Sequence, residues 1–123
     1  YYEMVERVMG GREKTQESVR LFMIPGRSHC RGGVGAAAID MLSSMELWVE
    51  QRRAPDMMIG AHIEEEKVSA YPKLLGDYIR LPKDPASVKF TRPHYPYPLH
   101  ARYKGTGDPN DHRSFEPAEP APH

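Results

Sequence analysis

Apolar and polar positions alternate unevenly along the chain. Tyr2, Val5 and Met9 recur at helical spacing and Gly10–Gly11 follows them, which predicts a helix over residues 1–10. No capping residue precedes that helix, as expected of a chain cut from something longer. The polar stretch REKTQES at 12–18 reads as a connection. VRLFMIPG at 19–26 then packs five apolar residues closely before Pro25–Gly26, the pattern of a strand buried on both faces in a mostly parallel sheet.

A glycine-rich loop, GRSHCRGGVG, occupies 26–35. From Ala36 to about Arg53 the spacing predicts a helix with an apolar stripe of Ala38, Met41, Leu42, Met45, Trp48 and Val49, ended by Ala54–Pro55. Met57–Ile63 is a second, short strand candidate. Beyond Glu64–Glu66 the signal fades to one weak cluster, Leu74, Leu75, Tyr78 and Ile79. Nine of the twelve prolines lie at or after Pro82, so the tail reads as extended loop laid on another surface. Tyr95, Tyr97 and Tyr103 make it too aromatic for a disordered linker.

Helix, buried strand, glycine-rich loop, amphipathic helix and weak strand is an α/β order. Two strand candidates are too few for a parallel sheet covered on both faces, so the pattern is that of part of an α/β domain. Composition narrows the picture. At 123 residues the chain is one domain at most, and 17 Lys+Arg balance 17 Asp+Glu. A net charge of zero offers no electrostatic footprint for nucleic acid or for an anionic membrane. No apolar run approaches the roughly 18 residues of a spanning helix, and the opening YYEMVERV is not a signal peptide. The single cysteine, Cys30, is a free thiol or half of a bond to something outside the chain.

A loop between a buried strand and a helix is where open α/β sheets place ligands and catalytic groups. Phosphate binding lacks its motifs here: there is neither G-K-[ST] nor G-x-G-x-x-G. A Cys30–His29 dyad fails on geometry, because neighbours on an extended loop point their side chains apart. The third reading makes His29 the base of a Ser–acid–His triad, the chain order of α/β hydrolases. Against all three stands a histidine on a turn with no chemical role. Ser28 sits in no nucleophile elbow. Arg27 and Arg31 read as solvated, and His62, His94, His100, His112 and His123 are scattered without ligand spacing, so no metal site is expected. The Pro–Tyr stretch 93–98 suits either an SH3-like partner or packing on a parent domain, and the tyrosines favour the second.

Three ordered segments then carry a resemblance. RLFMIPGRSHCRGG at 20–33, MELWVEQRRAPDMMIGAH at 45–62 and RPHYPYPLHARYKGTGDPNDHRSF at 92–115 resemble the histidine segment and the ending of the tannase and feruloyl esterase family. The resemblance implies an α/β-hydrolase fold with a lid domain, and hydrolysis of esters of aromatic acids: galloyl, feruloyl and some terephthalate monoesters. It implies a Ser–Asp–His triad whose histidine matches His29. It also implies that Cys30 bonds to a cysteine beside the serine, outside this chain. The acid would lie just ahead of Tyr1–Tyr2–Glu3. Two departures stand out, because Tyr95 and Glu116 occupy positions where the family carries cysteines.

The expected architecture is therefore a C-terminal fragment of an α/β-hydrolase catalytic domain. Residues 1–63 would be core and 64–123 a loop-rich tail. Its partners would be an aromatic ester and the missing N-terminal part of the same polypeptide, with no nucleic acid and no membrane. No cofactor is expected in this segment; the resemblance allows calcium in the absent lid. The resemblance places the protein outside the cell or in the periplasm, and the fragment alone is expected to be inactive. The rival reading is a non-catalytic α/β interaction module with a proline-rich tail.

Overall fold

The computed structural model describes residues 1–29, 33–63 and 85–121. The first helix, α1 (Tyr2–Met9), forms where the spacing predicts it and ends at Gly10, whose φ of 93° closes a left-handed cap onto the Glu6 carbonyl. A second helix, α2 (Arg12–Gln16), replaces the expected polar connection. It shows no apolar period because the residue it buries is a threonine. Thr15 is 0% exposed and its hydroxyl donates to the Gly11 carbonyl at 2.9 Å. Across the Gly10–Gly11 turn the Arg12 Nε donates to the buried Glu6 carboxylate at 3.0 Å.

Residues 19–26 do not form the expected buried strand. Val19 and Met23 are exposed, and the segment makes a single bridge, Phe22 to Pro96. The described chain alongside it is the 96–99 turn, where Pro96 and Pro98 lack an N–H and Leu99 turns its own onto the Pro96 carbonyl, so a ladder has one donor left to extend it. Tyr97 supplies the remaining one, donating to the Leu21 carbonyl at 2.7 Å. Arg20 instead fixes the segment. It donates to the Gln16 and Pro55 carbonyls and to Asp56, and its guanidinium lies 5.8 Å from the Trp48 ring centre.

The predicted helix over 36–53 starts five residues late. Ala36 to Ile39 are buried, and Ala38–Ile39 is a strand, β1. Helix α3 (Met41–Gln51) begins after Asp40, whose carboxylate accepts from the Ser43 N–H at 3.0 Å. Alanine favours helix locally, but sheet pairing at a buried position overrides that preference. Asp40→Ala in the full-length polypeptide is expected to cost about 1 kcal/mol, read from a urea midpoint. An unchanged midpoint would mean water caps Ser43 equally well.

Strand β2 (Met58–Ile63) forms as predicted, but the expected parallel sheet does not appear among the described residues. β2 pairs antiparallel with β1 on one side and with β3 (Val88–His94) on the other. The tail is also more regular than extended loop: β4 (His100–Tyr103) and β5 (Phe115–Ala118) form an antiparallel pair. Pro93 and Pro117 had argued against strands, yet each lies on an outer strand of its sheet, where a missing N–H is tolerated.

A stack of planar groups joins the two sheets. His62 lies 4.8 Å from Phe90, and the Arg92 guanidinium lies 4.6 Å from Phe90 and 4.5 Å from Phe115. Thr91 adds a backbone bond to the Asn110 carbonyl, and its hydroxyl accepts from the His112 N–H. Burial first, then the Glu116 carboxylate, raises the Tyr95 phenol above its ordinary pKa. The tail is thus anchored without a disulfide at those two positions.

Candidate functional site

The glycine-rich loop is closed at its neck. Gly35 donates its N–H to the Gly26 carbonyl at 2.9 Å, and Arg27 bridges Gly33. Glycine is required on both legs. Gly26 and Gly33 have φ of 76° and 95°, in the left-handed region that side chains disfavour. A Cβ on Gly35 would overlap the Pro25 carbonyl oxygen and come within 2.9 Å of the Gly26 carbonyl carbon.

His29 sits within this loop, exposed to solvent. Ser28, which sequence reasoning rejects as nucleophile, is exposed beside it. Cys30 and Arg31 lie outside the described residues, as does the Leu74–Ile79 cluster. Arg27 is half-buried and takes part in the neck rather than standing free in solvent. The loop is thus closed at its base, with Ser28 and His29 exposed on the leg beyond it.

Two histidines that sequence reasoning leaves scattered meet at the loop's exit. His62 Nδ1 lies 3.0 Å from the Gly35 carbonyl oxygen, and His94 Nε2 lies 2.8 Å from that of Ala36. A carbonyl oxygen only accepts, so each of these nitrogens carries the proton and donates it. His94 is 5% exposed, and its burial pushes the imidazole pKa down, with the bond to Ala36 opposing. No sequence spacing signals the pair, because both partners are backbone.

A cavity of about 450 Å³ borders the neck, lined by Pro25, Val34, Phe90, Arg92 and Phe115 among others. Among the described residues, no group of three or more His, Cys, Asp or Glu side chains could hold a metal ion. No described helix is long and apolar enough to cross a membrane. Helix α3 has no buried residue. Of its expected apolar stripe, Met45 is 55% and Val49 72% exposed, while Trp48 is half-buried beside Arg20 and Ala38 lies buried in β1.

The chain matches a family model described as tannase and feruloyl esterase over residues 1–118. It is 38% identical over 120 residues to a mono(2-hydroxyethyl) terephthalate hydrolase of Piscinibacter sakaiensis, covering 98% of this chain and 17% of that protein. It is 35% identical to feruloyl esterase C of Talaromyces stipitatus, covering 94% of this chain and 22% of the relative. Among solved structures it superposes on an esterase from Aspergillus oryzae with a TM-score of 0.73 at 29% identity, covering 96% of this chain and 23% of the other. Feruloyl esterase B from Aspergillus oryzae gives 0.72 at 26% identity, covering 96% and 22%. The chain therefore spans about a fifth of the length of the relatives it matches.

Proposed function

The chain belongs to the tannase and feruloyl esterase family, and on that premise we propose that it is the C-terminal part of a serine esterase of α/β-hydrolase fold. The substrate is an ester of an aromatic acid, and this segment supplies the triad histidine. The observation that carries the reading is His29, exposed on a loop whose neck is closed by Gly26 and Gly35. The open apolar face of α3 supports a place against further polypeptide, since contiguous exposed apolar surface marks a docking face.

In the complete enzyme neutral His29 accepts the proton of an upstream serine hydroxyl as its oxygen attacks the ester carbonyl. The imidazolium then protonates the departing alkoxide, leaving an acyl-enzyme. Water repeats the cycle: His29 takes its proton and returns one to the serine oxygen as the carboxylic acid leaves. An upstream aspartate holds the imidazole tautomer. Cys30 forms a disulfide with a cysteine beside the serine, tying the two catalytic loops together. That bond places the enzyme outside the cytoplasm.

The full-length polypeptide is expected to hydrolyse methyl ferulate, methyl gallate or a terephthalate monoester, followed by release of the free acid. It should lose that activity on treatment with a serine-directed phosphonate. No release above buffer from any of the three, or turnover that survives the phosphonate, overturns the proposal.

A further inference from the structure

We propose that His62 and His94 are positioning residues for the His29 loop, their ring N–H groups holding the Gly35 and Ala36 carbonyls and so fixing where the loop joins the sheet. The inference rests on the reading of His29 as the proton shuttle.

Several observations converge on this point. The two carbonyls are consecutive, and they immediately follow the Gly26–Gly35 closure. The donors come from different strands, His62 from β2 and His94 from β3, so the exit leg is held by both. The His62 ring lies 7° from parallel to Phe90, which sets the plane in which its Nδ1–H points. His94 is buried, and a buried imidazole persists where its N–H is satisfied. Gly60 completes the arrangement. A Cβ there would overlap both the Ala36 oxygen and His94 Nε2, so β2 is bare where the bond passes.

Holding the exit leg matters because proton transfer is sensitive to placement. A displacement of about 1 Å at the reacting groups costs on the order of a hundredfold in rate. A loop closed at its neck still swings as a body unless its junction with the sheet is fixed. The two histidines supply that fixation without touching substrate, and they are orienting groups in the sense that supporting hydrogen bonds are for any preorganised site.

The test compares donors by reach in the full-length polypeptide. Glutamine at 94 places an amide N–H near the Nε2 position, and asparagine at 62 places one near Nδ1. His94→Asn and His62→Gln carry the same amide to the wrong depth. With an ester the wild type hydrolyses, the matched pair (His94→Gln, His62→Asn) is expected to keep kcat within about fivefold of wild type. The mismatched pair should lose about ten- to a hundredfold in kcat with KM within about twofold. Amide hydrogen exchange should rise at residues 26–36 in the mismatched variants and stay unchanged in α1 and β4–β5. Equal kcat in matched and mismatched variants overturns the inference, as does a rise in exchange spread over the whole chain. His29→Ala is assayed in parallel. If it alone leaves activity intact, the shuttle reading has failed and this inference with it. If it is inactive while the amide pairs are equal, only the positioning role has failed.

Discussion

His29→Ala in the full-length polypeptide is expected to lower kcat for ester hydrolysis by about a thousandfold or more, with KM changed far less. General acid–base transfer by one positioned side chain contributes about 10² to 10⁴ in rate, and removal of a triad member costs at the upper end or beyond. The loss exceeds that of an ordinary contact because the same ring acts four times per turnover: it takes and returns a proton in acylation, then again in deacylation. The substitution lies on an exposed stretch of loop, so stability should change by less than about 1 kcal/mol. Activity within tenfold of wild type, in protein with an unchanged melt, would remove His29 from the chemistry.

Gly35→Ala should damage the fold severely. Its Cβ would meet the Pro25 carbonyl oxygen and the Gly26 carbonyl carbon, both backbone, with no flexible side chain to move aside. The neck must open, and the bond from the Gly35 N–H to the Gly26 carbonyl goes with it. Overlap with fixed backbone plus a lost hydrogen bond amounts to about 2–4 kcal/mol. Gly105→Ala serves as the reference. Its Cβ would meet nothing within 4 Å, but its φ of 83° still penalises a side chain, by about 1 kcal/mol. Chemical denaturation of the two full-length variants should therefore rank Gly35→Ala well below Gly105→Ala. Equal midpoints would mean the loop closes by some route other than this neck.

The sequence made some of this legible and hid the rest for identifiable reasons. Helix α1 follows from Tyr2, Val5, Met9 and the glycine that caps it, all local signals. The position of the His29 loop follows from its glycines. The start of α3 was obscured by Ala36–Ala38, although Asp40 three residues before Ser43 carried the capping signal. The apolar run 19–26 looks like a strand because apolar order says nothing about donors. The turn beside it is made of Pro96 and Pro98. His62 and His94 were illegible for a deeper reason. Their partners are carbonyls 27 and 58 residues away, and every residue has a carbonyl, so no letter in the sequence marks them.

Tyr97 bears on how the molecule is assembled. Its hydroxyl donates to Glu3, 94 residues earlier, its ring meets Tyr2 edge-on at 6.0 Å, and its carbonyl accepts from Gln16. Two helices are thus clasped by a stretch that the ribosome delivers 81 to 94 residues after the side chains it hydrogen-bonds. Contacts of such long sequence separation form late, because the intervening chain must first be brought to order. Until translation has passed Tyr97, α1 and α2 lack this clasp, and the emergence of Tyr97 is the event that seats them.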